Sequence, residues 1–294
     1  MTIKTGFTIN DPSVGIQDIG DRYIAKDYLI DIYPTLLPSR KTPGLRTFGQ
    51  NSSGQLGNGT RTNYSSPIQV GSLTNWKQVA GGQTHTAAIK TDGTLWTVGY
   101  NIYGQLGNGT ITNYSSPIQV GSLTNWKQVA GGQTHTAAIK TDGTLWTCGY
   151  NIYGQLGNGT ITNYSSPIQV GSLTNWKQIS CGRNHTAAIK TDGTLWTVGY
   201  NIYGQLGNGT ITMYSSPIQV GSLTNWKQIS VGVLHTAAIK TDGTLWTFGQ
   251  NIYGQLGNGT RTHYSSPIQV GSLTNWKQVA CGYYHTAAIS DGYF

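Results

Sequence analysis

The sequence predicts an all-β protein of the propeller class, with five four-stranded blades. Three observations predict it. The stretch Leu95 to Thr144 recurs at a period of 50 residues, its copies starting at Leu45, Leu95, Leu145, Leu195 and Leu245. A fixed period of roughly 20–50 residues marks a solenoid, a propeller or an array. The composition is the second observation: 41 of 294 residues are Gly, only 10% are charged, and there is no Glu. Average proteins are about 25% charged, and a Gly-rich, Thr- and aromatic-rich chain suits short strands joined by tight turns rather than helices. Third, each copy holds four short strand-like runs, and four short strands repeated radially make a propeller blade.

A leader of residues 1–44 precedes the repeats, which fill residues 45–294. Gly6 to Gly20 reads as polar loop, with Asn10-Asp11-Pro12-Ser13 as a turn signal. Asp21 to Tyr33 reads as a short helix capped near Asp21 and ended by Pro34. Pro38 to Pro43 reads as a linker. A segment this small with Tyr23, Tyr28, Leu29, Ile32 and Tyr33 cannot fold alone. It is expected to dock on its own propeller, on a copy of itself, or on a larger assembly. Met1 is followed by no apolar signal core, and no run of 18 apolar residues exists. Neither a signal peptide nor a membrane span is expected, which leaves virion or cytoplasm as the expected location.

Within a copy, Thr86 to Ile89 and Leu95 to Val98 are strand-like and flank Thr91-Asp92-Gly93-Thr94. Asp-Gly between apolar runs predicts a hairpin whose two turn residues both take positive φ. Both faces of these strands are apolar, as expected of a sheet covered on two sides by its neighbours. Gly99, Gly104, Gly107 and Gly109 punctuate a tight loop, and Pro117 to Val120 and Trp126 to Val129 supply two more strands.

These residues resemble the regulator of chromosome condensation repeats. The pattern stands here as Gly132-Gln133-Thr134-His135-Thr136 through Gly149, Asn151, Gly154-Gln155-Leu156-Gly157 and Gly159, and it recurs over residues 45–294. The resemblance implies a β-propeller of four-stranded blades. The family is best known for seven blades and for a member with guanine nucleotide exchange and chromatin binding, whereas this chain has five copies. No exchange-factor residue can be carried over.

Closure follows from counting strands. The last copy stops after Ser290-Asp291-Gly292-Tyr293-Phe294, and the first begins with the strand it lacks, Leu45 to Gly49. The N-terminal strand is therefore expected to complete the C-terminal blade and remove both sheet edges. The alternative is a partial arc that oligomerises.

The net charge of +8 lies wholly in the repeats, which hold thirteen basic residues against five Asp. That favours a polyanionic partner, unless Lys77, Lys90 and their copies are only solvated surface charges. Cys148, Cys181 and Cys281 are odd in number and read as reduced thiols. His85, His135, His185, His235 and His285 form a ring that either binds metal or makes structural bonds inside each blade. The second is expected, with no metal and no cofactor. The repeated Asp residues serve turns, and with no unique acid, base or nucleophile an asymmetric catalytic site is hard to build. The sequence therefore predicts no enzyme. Asn58-Gly59-Thr60 and its copies match a glycosylation acceptor, but the Gly-rich turn explains them.

The copies differ just before each His. Gln83 and Thr84 become Gln133 and Thr134, then Arg183 and Asn184, Val233 and Leu234, and Tyr283 and Tyr284. The residue two before each doublet's first member runs Gly81, Gly131, Cys181, Val231, Cys281, and a second varied site runs Asn63, Asn113, Asn163, Met213, His263. Changing loops on a fixed scaffold are where binding chemistry resides, though drift at tolerant positions gives the same pattern. The ten pre-His residues are the candidate binding site for a protein, a glycan or a polyanionic surface. The reading is a non-catalytic binding or structural scaffold, such as a phage tail or fibre component or adhesin, attached to a larger assembly through residues 1–44. The alternative is an intracellular exchange factor or nucleic-acid-associated regulator.

Overall fold

The computed structural model describes residues 16–18, 23–25, 44–72 and 74–292. Every helix or strand among them is a β-strand. The chain divides into two compact units, Met1–Pro43 and Gly44–Phe294.

In the first unit, β1 (Ile16–Asp18) pairs antiparallel with β2 (Tyr23–Ala25), placing Gln17 opposite Ile24. The helix expected from Asp21 is therefore not formed at Tyr23–Ala25, and part of the expected loop is strand. Ile16, Tyr23 and Ile24 are β-branched or aromatic and favour a pleated surface, which outweighs a capping signal at one residue. The remainder of the expected helix lies outside the described residues.

The second unit repeats one four-stranded meander. The first full sheet is β5 (Trp76–Gly81), β6 (His85–Lys90), β7 (Leu95–Gly99) and β8 (Tyr114–Gln119), hydrogen-bonded in that order. The same order recurs in β9 to β12 (Trp126–Gly131, His135–Lys140, Leu145–Gly149, Tyr164–Gln169) and β13 to β16 (Trp176–Cys181, His185–Lys190, Leu195–Gly199, Tyr214–Gln219). It recurs again in β17 to β20 (Trp226–Val231, His235–Lys240, Leu245–Gly249, Tyr264–Gln269). Two half-sheets flank these four: β3 (Arg46–Gly49) with β4 (Tyr64–Gln69), and β21 (Trp276–Cys281) with β22 (Thr286–Ser290).

Successive sheets pack face to face through one recurring apolar set. Ala87, Ile89, Leu95 and Val120 of the first sheet lie against Trp126, Val129 and Ala138 of the second. Ala137, Ile139, Leu145 and Val170 then meet Trp176, Ile179 and Ala188. Each such side chain is almost wholly removed from water, and burying a Val, Leu or Ile stabilises by about 1.5–3 kcal/mol. The core is thus a series of identical joints.

The β6–β7 hairpin has a different turn from the one expected. The Gly93 amide donates to the Lys90 carbonyl and the Lys90 amide to the Thr94 carbonyl, and only Gly93, at φ 79°, has positive φ. This is a three-residue loop, a type I turn closed by a Gly bulge. Asp92 holds it by accepting from the Thr94 amide at 2.9 Å and the Thr94 hydroxyl at 2.7 Å.

The strand complement of a fifth blade is present, but the expected clasp is not formed. β22 pairs only with β21 and β3 only with β4. The same repeat positions that are buried inside are bare at the two ends. Val79 is 53% exposed where Val129 is 3%, and Ile289 is 59% exposed where Ile239 is fully buried. Strand counting shows which strands are missing at each end. The rotation from sheet to sheet, set by packing within the joints, decides whether the ends meet.

Candidate recognition face

Each inner hairpin, such as β5–β6, carries the varied doublet at its tip, immediately before the His that opens the next strand. The tips converge. Gly81–Gln83, Gly131–Gln133, Cys181–Arg183, Val231–Val233 and Cys281–Tyr283 together line one axial depression of about 210 Å³. The two members of every doublet part company in the bend between the strands. Gln83, Gln133, Arg183, Val233 and Tyr283 face the depression, whereas Thr84, Thr134, Asn184, Leu234 and Tyr284 do not line it. Asn184 and Leu234 are buried instead. Half of the expected site is therefore brought together, and the other half lies outside the depression.

The depression has mixed chemistry. Arg183 is held by donating from Nε to Gln133 Oε1 at 2.7 Å, which leaves the rest of its planar fork of donors free of protein partners among the described residues. Val233 supplies a half-buried apolar side chain beside the exposed Gln83 and the half-buried Gln133. Tyr283 is 49% exposed and meets Tyr284 edge-on at 4.5 Å between ring centroids.

A second feature of this end is visible in the sequence only in part. The Tyr100 amide donates to the Thr84 carbonyl, so the loop after β7 borders the varied tips. Its tyrosines form a continuous aromatic arc. Tyr100 meets Tyr103 at 6.3 Å, Tyr103 meets Tyr150 at 4.6 Å, Tyr150 meets Tyr153 at 6.2 Å and Tyr153 meets Tyr200 at 4.8 Å. Tyr253 continues the pattern against Tyr284 at 5.0 Å. Burial, then the neighbouring phenols, push the Tyr100, Tyr150 and Tyr200 hydroxyls up from the usual value, so they remain neutral donors. Tyr100, Tyr150 and Tyr200 stand where the two end copies carry Gln50 and Gln250, so the position shows in the sequence as a varied one, but the ring contacts between copies do not.

The histidines belong to the joints. His85 lies 2.9 Å from the hydroxyl of Thr136 in the next sheet, and His135, His185 and His235 repeat this with Thr186, Thr236 and Thr286. The expected bond inside each blade is instead a bond between blades. Among the described residues no three His, Cys, Asp or Glu side chains group as metal ligands.

Lys90 is not a solvated charge. Its ammonium sits 3.6 Å from the Trp96 ring centroid and 5.1 Å from that of Trp76, and Lys140, Lys190 and Lys240 are caged alike. Each is at most 6% exposed, and burial lowers its pKa while the nearby Asp92-type carboxylate opposes the change. Lys77 and its copies are exposed. Four of the thirteen basic residues are thus absent from any anion-facing surface. The three cysteines are free. Burial pushes the Cys148 and Cys181 thiols up to about 12 and Cys281 up to about 11, which keeps them unreactive.

Repeated four-stranded sheets converging by their inner strands on one axis define a β-propeller. Residues 48–293 match the RCC1-like domain, and the chain belongs to that family. Among solved structures it is similar to human WBSCR16, at 26% identity and a TM-score of 0.75, over 85% of this chain and 68% of that one. It is also similar to Prp20p from Saccharomyces cerevisiae, at 18% identity and a TM-score of 0.71, over 83% of this chain and 62% of that one. Yeast RCC1 (Prp20) in complex with Kap60 gives 20% identity and a TM-score of 0.72, over 85% and 64%. The chain thus spans about two thirds of the length of these relatives. Comparison with curated protein sequences finds no match. Among the described residues no helix is long and apolar enough to cross a membrane.

Proposed function

We propose that the protein is a non-catalytic recognition scaffold that holds its ligand on the axial face. The observation that carries this reading is the convergence of Gln83, Gln133, Arg183, Val233 and Tyr283 on one depression, while the framework between them stays nearly constant. The tyrosine arc beside it offers flat apolar area with polar tips at low entropic cost. Arg183 offers a planar fork of donors. Stacking area next to fixed donors and acceptors suits a glycan, whose ring faces are apolar and whose hydroxyls are polar. A surface-binding component such as a virion fibre or adhesin, attached through residues 1–44, would use such a face.

A second reading rests on the family. Prp20p is described by its binding to Gsp1p and histones, and its yeast complex contains Kap60. A protein partner on the same face, or nucleotide exchange on a small GTPase, is the corresponding proposal for this chain.

A printed glycan array and an exchange assay with small GTPases separate the two. Saturable glycan binding without exchange is expected. Accelerated nucleotide release with no glycan bound would replace the first reading by the second.

A further inference from the structure

Among the described residues lining the axial depression, Arg183 is the one cation and there is no carboxylate. We propose that the ligand is a glycan whose terminal sugar carries a carboxylate, held on the Arg183 guanidinium. This rests on the recognition reading above and names the ligand class of the same site.

Charge is sorted along the strands. β6, β10, β14 and β18 each run from a His at the axial end to a Lys at the far end, where the Asp-Gly hairpins follow. Asp92, Asp142, Asp192, Asp242 and Asp291 all stand at that far end, as do Lys77, Lys90 and their copies. Six residues of strand separate the ends by about 20 Å. That is more than twice the ~8 Å over which physiological salt screens a charge. The loops and tips at the axial end carry Arg61, Arg183 and Arg261, and no carboxylate among the described residues of this unit. Of the three, Arg183 alone lines the depression.

Its neighbours hold the guanidinium in place. Nε donates to Gln133 Oε1 at 2.7 Å, and the Arg183 amide donates to the Val233 carbonyl at 3.3 Å. With Nε engaged, the two Nη groups remain as a planar pair of donors, which matches the two oxygens of a carboxylate. Two phenols stand near. Burial, then neighbouring phenols, raise the Tyr200 and Tyr284 hydroxyls, and the Arg183 charge opposes the rise. Both rings are therefore within Coulombic reach of the guanidinium, and neutral phenols are donors to an anion. Tyr283 is 49% exposed and offers a ring face for a sugar to stack on.

Size and charge choose among anions. The depression, about 210 Å³, is smaller than the roughly 300–1,000 Å³ of sites for drug-sized ligands, which suits one terminal sugar. A nucleic acid or other polyanion is held by a row of cations along its backbone, and the depression supplies one. A neutral sugar would take the guanidinium out of water and return no charge to it.

A glycan array printed before and after reduction of its carboxyl groups to hydroxymethyl tests this, because the two printings differ in that group alone. Wild type is expected to bind chains ending in a uronic or sialic residue. Reduction should lower that affinity about ten- to hundredfold, the scale of a charge-assisted hydrogen bond. Arg183→Gln should bind the two printings equally at an unchanged melting temperature, since Gln83 and Gln133 already occupy this position. Equal binding of wild type to both printings overturns the inference and leaves glycan recognition standing. No glycan bound on either printing overturns both, including the case in which a peptide binds through its terminal carboxylate instead. A loss on reduction that persists undiminished in Arg183→Gln also overturns the inference. So does inorganic phosphate that competes as well as free glucuronate, which would mark a site for any anion.

Discussion

His85 Nε2 lies 2.9 Å from Thr136 Oγ1, across the boundary between the first two full sheets. The Thr136 hydroxyl gives its one proton to the Gln105 carbonyl at 2.7 Å, so the ring nitrogen must be the donor and the imidazole carries its proton on Nε2. The buried Nδ1 has no partner. A second proton would place a charge in a dry joint. Burial accordingly pushes His85 and His235 down to about 4, and His135 and His185 down to about 3.

These four joints make the protein acid-sensitive. The folded values lie below the usual 6.5, so the unfolded chain takes up protons first as pH falls. The stabilisation is complete above about pH 6.5 and is lost as the pH falls toward the folded values. Each His contributes a slope of up to ~1.4 kcal/mol per pH unit in that window. Urea unfolding between pH 7 and pH 4.5 should show a steep fall, shallower in His135→Gln by roughly the share of one histidine in four. A pH-independent stability would contradict the neutral joints.

Lys140 stabilises its sheet and takes no part in anion binding. Its ammonium is 3.6 Å from the Trp146 centroid and 5.1 Å from Trp126. Lys140→Ala removes a desolvated cation–π pair and a packed stem, and should cost about 1–3 kcal/mol by chemical denaturation. Lys127→Ala, on the exposed edge of the same repeat, should change stability by less than about 0.5 kcal/mol. Equal effects of the two would refute the cage.

Met213 marks a bond lost in one copy. Asn63, Asn113 and Asn163 each accept from the buried Asn51, Asn101 or Asn151 amide at 2.7–2.8 Å, and His263 Nδ1 does so for Asn251 at 3.0 Å. Methionine offers no comparable acceptor to Asn201. Met213→Asn should raise stability by about 0.5–1.5 kcal/mol, seen as a higher melting temperature. No gain would mean that water already satisfies this amide.

The repeat, its four strands and the Gly-punctuated loop were legible in the sequence because each is local and occurs five times. The Thr partners of the histidines were visible as residues, but their bonds span 51 positions and require knowing that copy n abuts copy n+1. The lysine cage was within reach. Trp76 stands opposite Lys90 once β5 and β6 are paired, which puts the ammonium between two indoles. The split of each pre-His doublet was not within reach, because the doublet lies in a bend between strands, where the alternation of side chains along a strand does not apply. Closure was not legible, since strand counting carries no information on the angle that Trp126, Val129 and Ala138 impose at a joint.

The role of the axial face is tested most directly by Arg183→Gln combined with Tyr283→Gln. Glutamine already stands at this position in the first two copies, so the backbone accepts it, and both side chains are exposed. The melting temperature should stay unchanged while affinity for the glycan or protein identified on wild type falls by about 1–3 kcal/mol, the scale of losing two hot-spot side chains. Unchanged affinity in a normally folded variant would contradict recognition at the axial depression.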